Sequence, residues 1–157
     1  MSYNIASSST LSPAKAADMI SFMESFYGIS DTESKHDAYV ASFTPDATLI
    51  MGPKTAKGAD DIRTLRHGLW THVASRKHTP TKVFFGGEDE LMLYGTVEYV
   101  LRNNPEGEPT EVQWAGRVVF DFSEGMRMRF YQVYLVGFLP FLFTWGGYDP
   151  SAQSGKK

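Results

Sequence analysis

The last strand-like run of the chain, residues 126–136, begins Met126-Arg127-Met128-Arg129-Phe130-Tyr131-Gln132-Val133-Tyr134-Leu135. Three similar runs precede it, at residues 79–85, 90–102 and 110–122, and all four are rich in the β-branched and aromatic residues that favour strands. Short clusters of turn-forming residues separate the runs. Consecutive strands are therefore expected to pair antiparallel in one sheet.

Three helix-like segments come before these strands. The first is predicted to begin at Pro13, with Ser12 as its cap, and to end at Gly28, a residue type common at helix ends. One face of it is apolar at helical spacing. That face consists of Met19, Phe22, Met23, Phe26 and Tyr27.

The second and third helices are predicted from their first turns. Ser30 and Glu33 have the spacing of a capping box, which indicates a second helix that starts there and ends before Pro45. The third helix is expected to start near residue 58, because Asp60 and Asp61 then lie in its first turn, where the helix dipole favours acidic residues.

Helices first and strands second indicate an α+β fold. We expect three N-terminal helices to pack in a curved, mostly antiparallel sheet, giving a cone that encloses a pocket. The predicted single domain covers residues 13–146, between flexible tails at 1–12 and 147–157. The apolar stretch 136–145 is too short to span a bilayer and is interpreted as a flap, a subunit contact or a partner-docking segment.

Charge and composition argue against several classes of function. The net charge is −3 and acidic and basic residues are interspersed, so no basic stripe is available for nucleic acid. The chain has no cysteine, which excludes disulfides, thiolate catalysis and cysteine-based zinc sites. The sequence shows no signal-peptide pattern and no membrane span, so we expect a soluble cytoplasmic protein.

Alternation along the strands predicts which side chains face the helices. The predicted inward residues include Tyr99, Trp114, Phe130, Gln132 and Tyr134. This face is mostly apolar and aromatic, with the Gln132 amide and the hydroxyls of Tyr99 and Tyr134 as polar exceptions. These groups either complete hydrogen bonds at the edge of an ordinary core or orient a ligand in an apolar cavity.

Three more polar side chains lie on otherwise apolar surfaces. His36 is either a satisfied core histidine or part of a site, and Arg66 either extends its guanidinium to solvent or lies in the pocket. His78 begins the first long strand, and imidazole is suited to proton transfer near neutral pH. Strict alternation with Val83 turns His78 outward, whereas an irregularity at Pro80 brings it inside.

The histidines show no metal-ligand spacing. His67 and His72 are five residues apart on one predicted helix and point to different sides. No glycine-rich phosphate loop and no Gly-Xaa-Ser-Xaa-Gly nucleophile turn is present. A site without metal or cofactor is therefore expected.

Three features of the sequence carry a resemblance to a known family. They are the order of the segments, the Lys57-Gly58 step into the third helix, and the run from Trp114-Ala115-Gly116-Arg117 through Phe130-Tyr131-Gln132-Val133-Tyr134. Together they resemble the SnoaL-like branch of the nuclear-transport-factor-2-like (NTF2-like) superfamily, in particular its small fungal members. The resemblance implies a cone-shaped α+β fold and a homodimer through the open sheet face. In the enzymatic members it implies cofactor-independent acid-base chemistry on polyketide, terpenoid or alkaloid intermediates. The same cone also serves as a transport factor and as a subunit-association module.

Part of the chain is also similar to scytalone dehydratase, an enzyme of that superfamily. Glu33-Ser34-Lys35 is similar to its Asp-Ser-Lys at the start of the second helix, and His78 corresponds to its histidine at the start of the first long strand. The chain departs from it at two positions. Glu98 or Tyr99 stands near a second strand histidine of that enzyme, and Met51 stands near one of its water-orienting tyrosines.

The sequence thus predicts a cofactor-independent isomerase, cyclase or dehydratase that acts on a hydrophobic secondary-metabolite intermediate. His78 is the predicted general base or acid, and Glu33 or His36 assists proton transfer. The predicted substrate-binding residues are Tyr27, Arg66, Phe84, Tyr99, Trp114, Gln132 and Tyr134. The alternative is a non-catalytic module that binds a small molecule or dimerises, since a packed core and a dry pocket use the same residue types.

Overall fold

A computed structural model describes residues 13–135. Its helices are α1 (Pro13–Ser30), α2 (His36–Ala41) and α3 (Gly58–Trp70). Its strands are β1 (Phe43–Met51), β2 (Lys54–Lys57), β3 (Val73–Phe85), β4 (Glu90–Leu101), β5 (Thr110–Asp121) and β6 (Arg127–Leu135). The predicted tails and the apolar stretch 136–145 lie outside this range. Within it, no helix combines the length and the apolar character needed to cross a membrane.

The six strands form one sheet in the order β2-β1-β6-β5-β4-β3. All neighbours are antiparallel except β1 and β6, which run parallel. A parallel pair needs a long connection, and here that connection contains α3 and the strands β3 to β5. The predicted α+β class and the mostly antiparallel sheet are confirmed.

An aromatic cluster joins the helices to the sheet. The ring of Phe26 on α1 lies 5.2 Å from that of Tyr39 on α2 and 5.5 Å from that of Tyr131 on β6, and all three side chains are buried. Burial of each such side chain stabilises the fold by roughly 1.5–3 kcal/mol. The cluster therefore fixes the C-terminal end of α1 against the sheet.

The prediction of a capping box at the start of α2 is wrong. Ser30 is the last residue of α1, which continues past Gly28, and α2 begins only at His36. The Thr32 hydroxyl donates to the carbonyl of Gly28, which completes the end of α1. Residues 31–35 form a connection between the two helices, and Asp31 in that connection turns toward the sheet instead of capping a helix.

An irregularity in β3 resolves the orientation of His78. The pairing of β3 with β4 shifts between Pro80 and Lys82, so that Thr81 is an extra residue. Before the shift, Arg76 and His78 face the helices. After it, Val83 packs against the core. Pro80 thus marks a real break in alternation, as the sequence indicated.

A second irregularity, in β6, reverses part of the predicted inward face. Phe120 pairs with Met128, but the adjacent Val119 pairs with Phe130, so Arg129 is an extra residue. Beyond this bulge the inward side chains are Tyr131 and Val133, both buried. The assignment of Phe130, Gln132 and Tyr134 to the inner face is therefore wrong. Alternation predicts faces only while the register is unbroken.

Candidate active site

Asp31 and His78 form a tightly held pair between the α1–α2 connection and β3. The carboxylate oxygen Oδ1 of Asp31 lies 2.5 Å from Nδ1 of His78, and Oδ2 accepts the backbone N–H of the same histidine at 2.8 Å. A carboxylate only accepts hydrogen bonds, so Nδ1 carries the hydrogen. The other ring nitrogen, Nε2, is thereby left as the acceptor.

Aromatic rings enclose the imidazole of His78. Its centroid lies 4.9 Å from the Tyr27 ring and 5.5 Å from the Trp114 ring, and 13% of the side chain is exposed. Burial lowers the pKa of His78, and the nearby Arg76 guanidinium lowers it further, against the opposing effect of the bond to Asp31. The ring is therefore neutral at pH 7, and its Nε2 is free to take a proton.

His78 lies on the wall of a narrow cavity between the helices and the inner face of the sheet. The lining consists of Ser30, Tyr39, Met51, Leu69, Arg76, His78, Val97, Tyr99, Trp114, Tyr131, Val133 and Leu135. The void measures about 20 Å3, room for roughly one water molecule. Three lining residues, Met51, His78 and Leu135, are partly exposed, and we refer to them as the mouth of the cavity.

Arg76 is a cavity residue that the sequence analysis missed. Its side chain is 4% exposed, and Nη2 donates to the carbonyl and, at 3.1 Å, to the hydroxyl of Ser30. The guanidinium lies 4.6 Å from the centroid of Trp70. Its Nε is 3.6 Å from Oδ1 of Asp31, within ion-pair range but too far for a hydrogen bond. Its position two residues before His78 on one strand was the available signal.

Two tyrosine hydroxyls meet beside His78. The hydroxyl of Tyr27 lies 3.0 Å from that of Tyr131, and burial raises the pKa of both, so both stay protonated at neutral pH. Two hydroxyls carry two hydrogens, and the bond between them uses one. The second hydrogen can be donated to a ligand oxygen. Tyr131 lines the cavity and was not predicted as a site residue.

Arg66 lies outside the cavity lining and instead supports the α1–α2 connection. It is fully buried, and its guanidinium donates to the carbonyls of Ile29 at 3.3 Å, Ser30 at 3.2 Å and Thr32 at 2.8 Å. Its Nε also donates to Nδ1 of His36 at 3.2 Å. The structure therefore gives Arg66 a positioning role for the segment that carries Asp31, in place of the predicted contact with substrate.

Two of the predicted catalytic residues also lie away from the cavity. The ring of His36 stacks on that of His67, with centroids 4.0 Å apart. Glu33 forms an ion pair with Arg102 on the surface. Glu33 was predicted to assist proton transfer, but it is Asp31 that binds the backbone N–H and Nδ1 of His78.

Three predicted binding residues lie on the outer face of the sheet. Phe84 is 51% exposed and stacks on Tyr94. The hydroxyl of Tyr134 donates to the amide oxygen of Gln132 at 3.0 Å, and Tyr134 is 44% exposed. The two strand bulges explain these errors, since Phe84 lies beyond the shift of register in β3, and Gln132 and Tyr134 lie beyond the shift in β6.

The inner face brings together the remaining predicted residues. Tyr99 and Trp114 line the cavity with His78, and Tyr27 covers the histidine ring. Burial raises the pKa of Tyr99, so its hydroxyl is neutral. In the part of the chain that the structure describes, no three His, Asp or Glu side chains converge closely enough to hold a metal ion.

No protein-family model matches the chain, and no curated protein is similar to it in sequence. Solved structures are similar in fold. A protein from Novosphingobium aromaticivorans with the provisional name aromatic ring hydroxylase has a TM-score of 0.69 and 20% identity, over 82% of this chain and 96% of that one.

Two further structures are named for different functions. Nuclear transport factor 2 from Cryptosporidium parvum has a TM-score of 0.63 and 15% identity, over 82% of this chain and 100% of that one. A hexachlorocyclohexane dehydrochlorinase has a TM-score of 0.62 and 14% identity, over 82% of this chain and 92% of that one. At such identities the likeness concerns the fold alone, and it shows that this chain has the NTF2-like fold.

Proposed function

We propose that this protein is a cofactor-independent enzyme that moves a proton on a small, largely apolar substrate, with His78 as general base and acid. One observation carries the proposal: Asp31 binds both the backbone N–H and Nδ1 of His78, so that Nε2 is left as an acceptor on a cavity wall. A buried carboxylate-imidazole pair of this kind is suited to proton abstraction from carbon.

The proposed reaction begins when Nε2 of His78 takes a proton from a carbon next to a carbonyl group. Asp31 stabilises the imidazolium that forms, since its carboxylate already holds Nδ1. The spare hydrogen of the Tyr27–Tyr131 pair is donated to the enolate oxygen. Return of the proton to another carbon completes an isomerisation. Attack of the enolate carbon on a second carbonyl of the same substrate, whose oxygen then takes the proton, completes a cyclisation. Departure of a β-hydroxyl as water, with the proton transferred to it, completes a dehydration.

The proposed substrate class is supported by the cavity walls and by the resemblance to the SnoaL-like proteins. The walls are mostly aliphatic and aromatic, which suits the rings of a polyketide, terpenoid or alkaloid intermediate. A dehydrochlorinase among the proteins of similar fold supports an elimination as one of the reactions that the cone can accommodate.

A proton-exchange assay tests the proposal. Small cyclic ketones and keto acids are incubated with the protein in deuterium oxide, and exchange next to the carbonyl is followed by NMR. The wild type is expected to accelerate exchange, and His78→Gln to lower the rate about 10²- to 10⁴-fold. His36→Gln, which alters a histidine outside the cavity, is the matched control. The proposal is contradicted if His78→Gln exchanges protons as fast as the wild type. It is also contradicted if the wild type accelerates exchange in none of these substrates.

One observation favours a second candidate, a non-catalytic module. The void is small, about 20 Å3, and a substrate larger than roughly one water must displace the side chains at its mouth. If the cone is simply filled by its own side chains, neither the wild type nor Met51→Ala exchanges the protons of a ketone. If a substrate enters past Met51, Met51→Ala changes the apparent KM, while the Asp31–His78 pair continues to catalyse exchange.

We also propose a homodimer through the outer face of the sheet. Phe84 pairs with Met92 across β3 and β4, and Tyr94 and Tyr134 both pair with Ala115 on β5, so the four exposed side chains are contiguous. An exposed apolar patch of this kind is typical of an interaction surface. Tyr94→Lys is expected to shift the mass measured by light scattering from dimer to monomer. A wild type that is monomeric at high concentration contradicts the dimer.

A further inference from the structure

The corner between α1, α3 and β3 contains two buried guanidiniums. Arg66 is fully buried and Arg76 is 7% exposed, and both donate to the carbonyl of Ser30. The partners of Arg66 are three carbonyls and an imidazole whose Nδ1 accepts, and none of these carries a charge. A guanidinium carries a positive charge in proteins, so the corner holds two cations.

One carboxylate in this corner faces the two cations. Asp31 lies 3.6 Å from Nε of Arg76, but both of its oxygens already accept hydrogen bonds from His78. Glu33 is nearby but forms an exposed ion pair with Arg102. Two buried positive charges against one partly buried negative charge leave an excess of one positive charge beside the cavity.

Two buried N–H groups on the same wall have no acceptor within the described residues. They are Nε of Arg76 and Nε1 of Trp114, and both side chains line the cavity. Buried donors are normally paired, because an unpaired one loses its bond to water without replacement. The wall thus offers donors and positive charge, and His78 Nε2 offers an acceptor.

We infer that the molecule bound in this cavity is an organic anion, with a carboxylate or equally acidic oxygen held by Arg76 and Trp114 beside the carbon that reacts. The inference rests on the proposed function for the reacting carbon, but anion binding itself needs no catalysis. The anion neutralises the excess charge and accepts from the two unpaired donors. A neutral ketone of the same shape can accept from the donors but leaves the excess charge without a counter-charge.

Matched pairs of carboxylate and amide test this inference in the wild-type protein. Benzoate and benzamide have nearly the same shape. Acetate and acetamide are a smaller matched pair, used in case the cavity does not admit a benzene ring. Binding is read from the indole N–H signal of Trp114 in ¹⁵N-labelled protein, assigned with Trp114→Phe. A carboxylate is expected to bind about tenfold more tightly than its amide, since charge-assisted bonds are the stronger ones.

Three variants separate charge from shape. Arg76→Gln is expected to abolish the preference for the carboxylate, and Arg76→Lys to retain part of it. Asp31→Asn removes the negative charge that faces Arg76, so it should tighten carboxylate binding while it lowers the rate of proton exchange about 10²- to 10⁴-fold. Circular dichroism checks that each variant is folded.

The outcomes distinguish the inference from the proposed function. If the carboxylate preference is present but no ketone or keto acid exchanges its proton, the anion site stands and the catalytic proposal falls. If exchange occurs but carboxylate and amide bind equally to the wild type, or the preference survives in folded Arg76→Gln, the anion site is wrong. The wild-type comparison needs no variant, so a misfolded protein cannot hide the answer.

Discussion

Two histidines, His36 at the start of α2 and His78 on β3, contact residues in or next to the connection between α1 and α2, and their partners differ. His78 faces the cavity and binds the carboxylate of Asp31, whereas His36 faces outward, stacks on His67 and accepts a hydrogen bond from the Arg66 guanidinium. Burial is the main cause that lowers the pKa of both. What distinguishes them chemically is the partner.

A carboxylate on Nδ1 stabilises the imidazolium once His78 has accepted a proton, so this histidine can act as a base. A guanidinium that donates to Nδ1 has the opposite effect, because protonation of His36 at that nitrogen would break the bond to Arg66. A histidine on an apolar surface therefore says little about catalysis until the charge of its partner is known.

The largest effect is expected when the partner of His78 is changed. Asp31→Asn can present an amide N–H to Nδ1, which favours the other tautomer and removes the acceptor at Nε2. We expect the exchange rate to fall about 10²- to 10⁴-fold. It is measured by NMR on the substrate that the wild type exchanges.

Glu33→Gln is the matched control for Asp31→Asn, since it removes a carboxylate from the same connection that binds Arg102 on the surface. Its rate should stay within about twofold of the wild type, as exposed ion pairs contribute little. Equal losses in the two variants would show that the contact between Asp31 and His78 has no special role.

A smaller effect is expected at the support shared by both histidines. Arg66→Leu removes a donor to three carbonyls and to His36. It also removes the cost of burying a charged group, the same burial that lowers the pKa of Arg66 to about 10. The lost bonds outweigh that relief, because four hydrogen bonds from one charged donor are lost together and each carbonyl keeps one other donor, Arg76 or a backbone N–H. We expect a destabilisation of about 2–4 kcal/mol, measured as the free energy of unfolding in urea.

Arg63 on the same helix provides the comparison for Arg66. It forms an ion pair with Asp37, whose side chain is 94% exposed, so Arg63→Leu should change the stability by less than about 1 kcal/mol. A similar small change in Arg66→Leu would mean that the α1–α2 connection holds its shape without the guanidinium.

The fold was readable from local patterns, and the site only in part. Strand composition and turn clusters predicted β3 to β6, and Pro80 indicated the irregularity that places His78 inside. The bulge at Arg129 has no comparable signal in the sequence, so the faces of β6 were assigned incorrectly beyond it. Register is a property of paired strands, and a single strand does not contain it.

Asp31 was missed because two local patterns competed for the same residues. Ser30 and Glu33 have capping-box spacing, which made Asp31 an ordinary second residue of a helix. Its actual partner lies 47 residues away on β3. Arg76 was missed because its partners are also distant in sequence: its contacts with Ser30 and Asp31 form only when the sheet closes over α1.

The smallest expected effect is the dependence of stability on pH, and it compares the two histidines directly. The pKa of each is lowered in the folded state, so below the ordinary value the unfolded chain binds more protons. Stability is then fully present above about pH 6.5 and is lost as the pH falls through the lowered folded pKa. His78 is the more deeply enclosed, so His78→Gln should remove more of this slope than His36→Gln.

Urea unfolding of the wild type and the two variants between about pH 7 and pH 5 measures how the free energy of unfolding depends on pH. A slope that neither substitution reduces would place the titrating groups elsewhere, and an equal reduction by both would mean that enclosure of His78 adds nothing to its pKa.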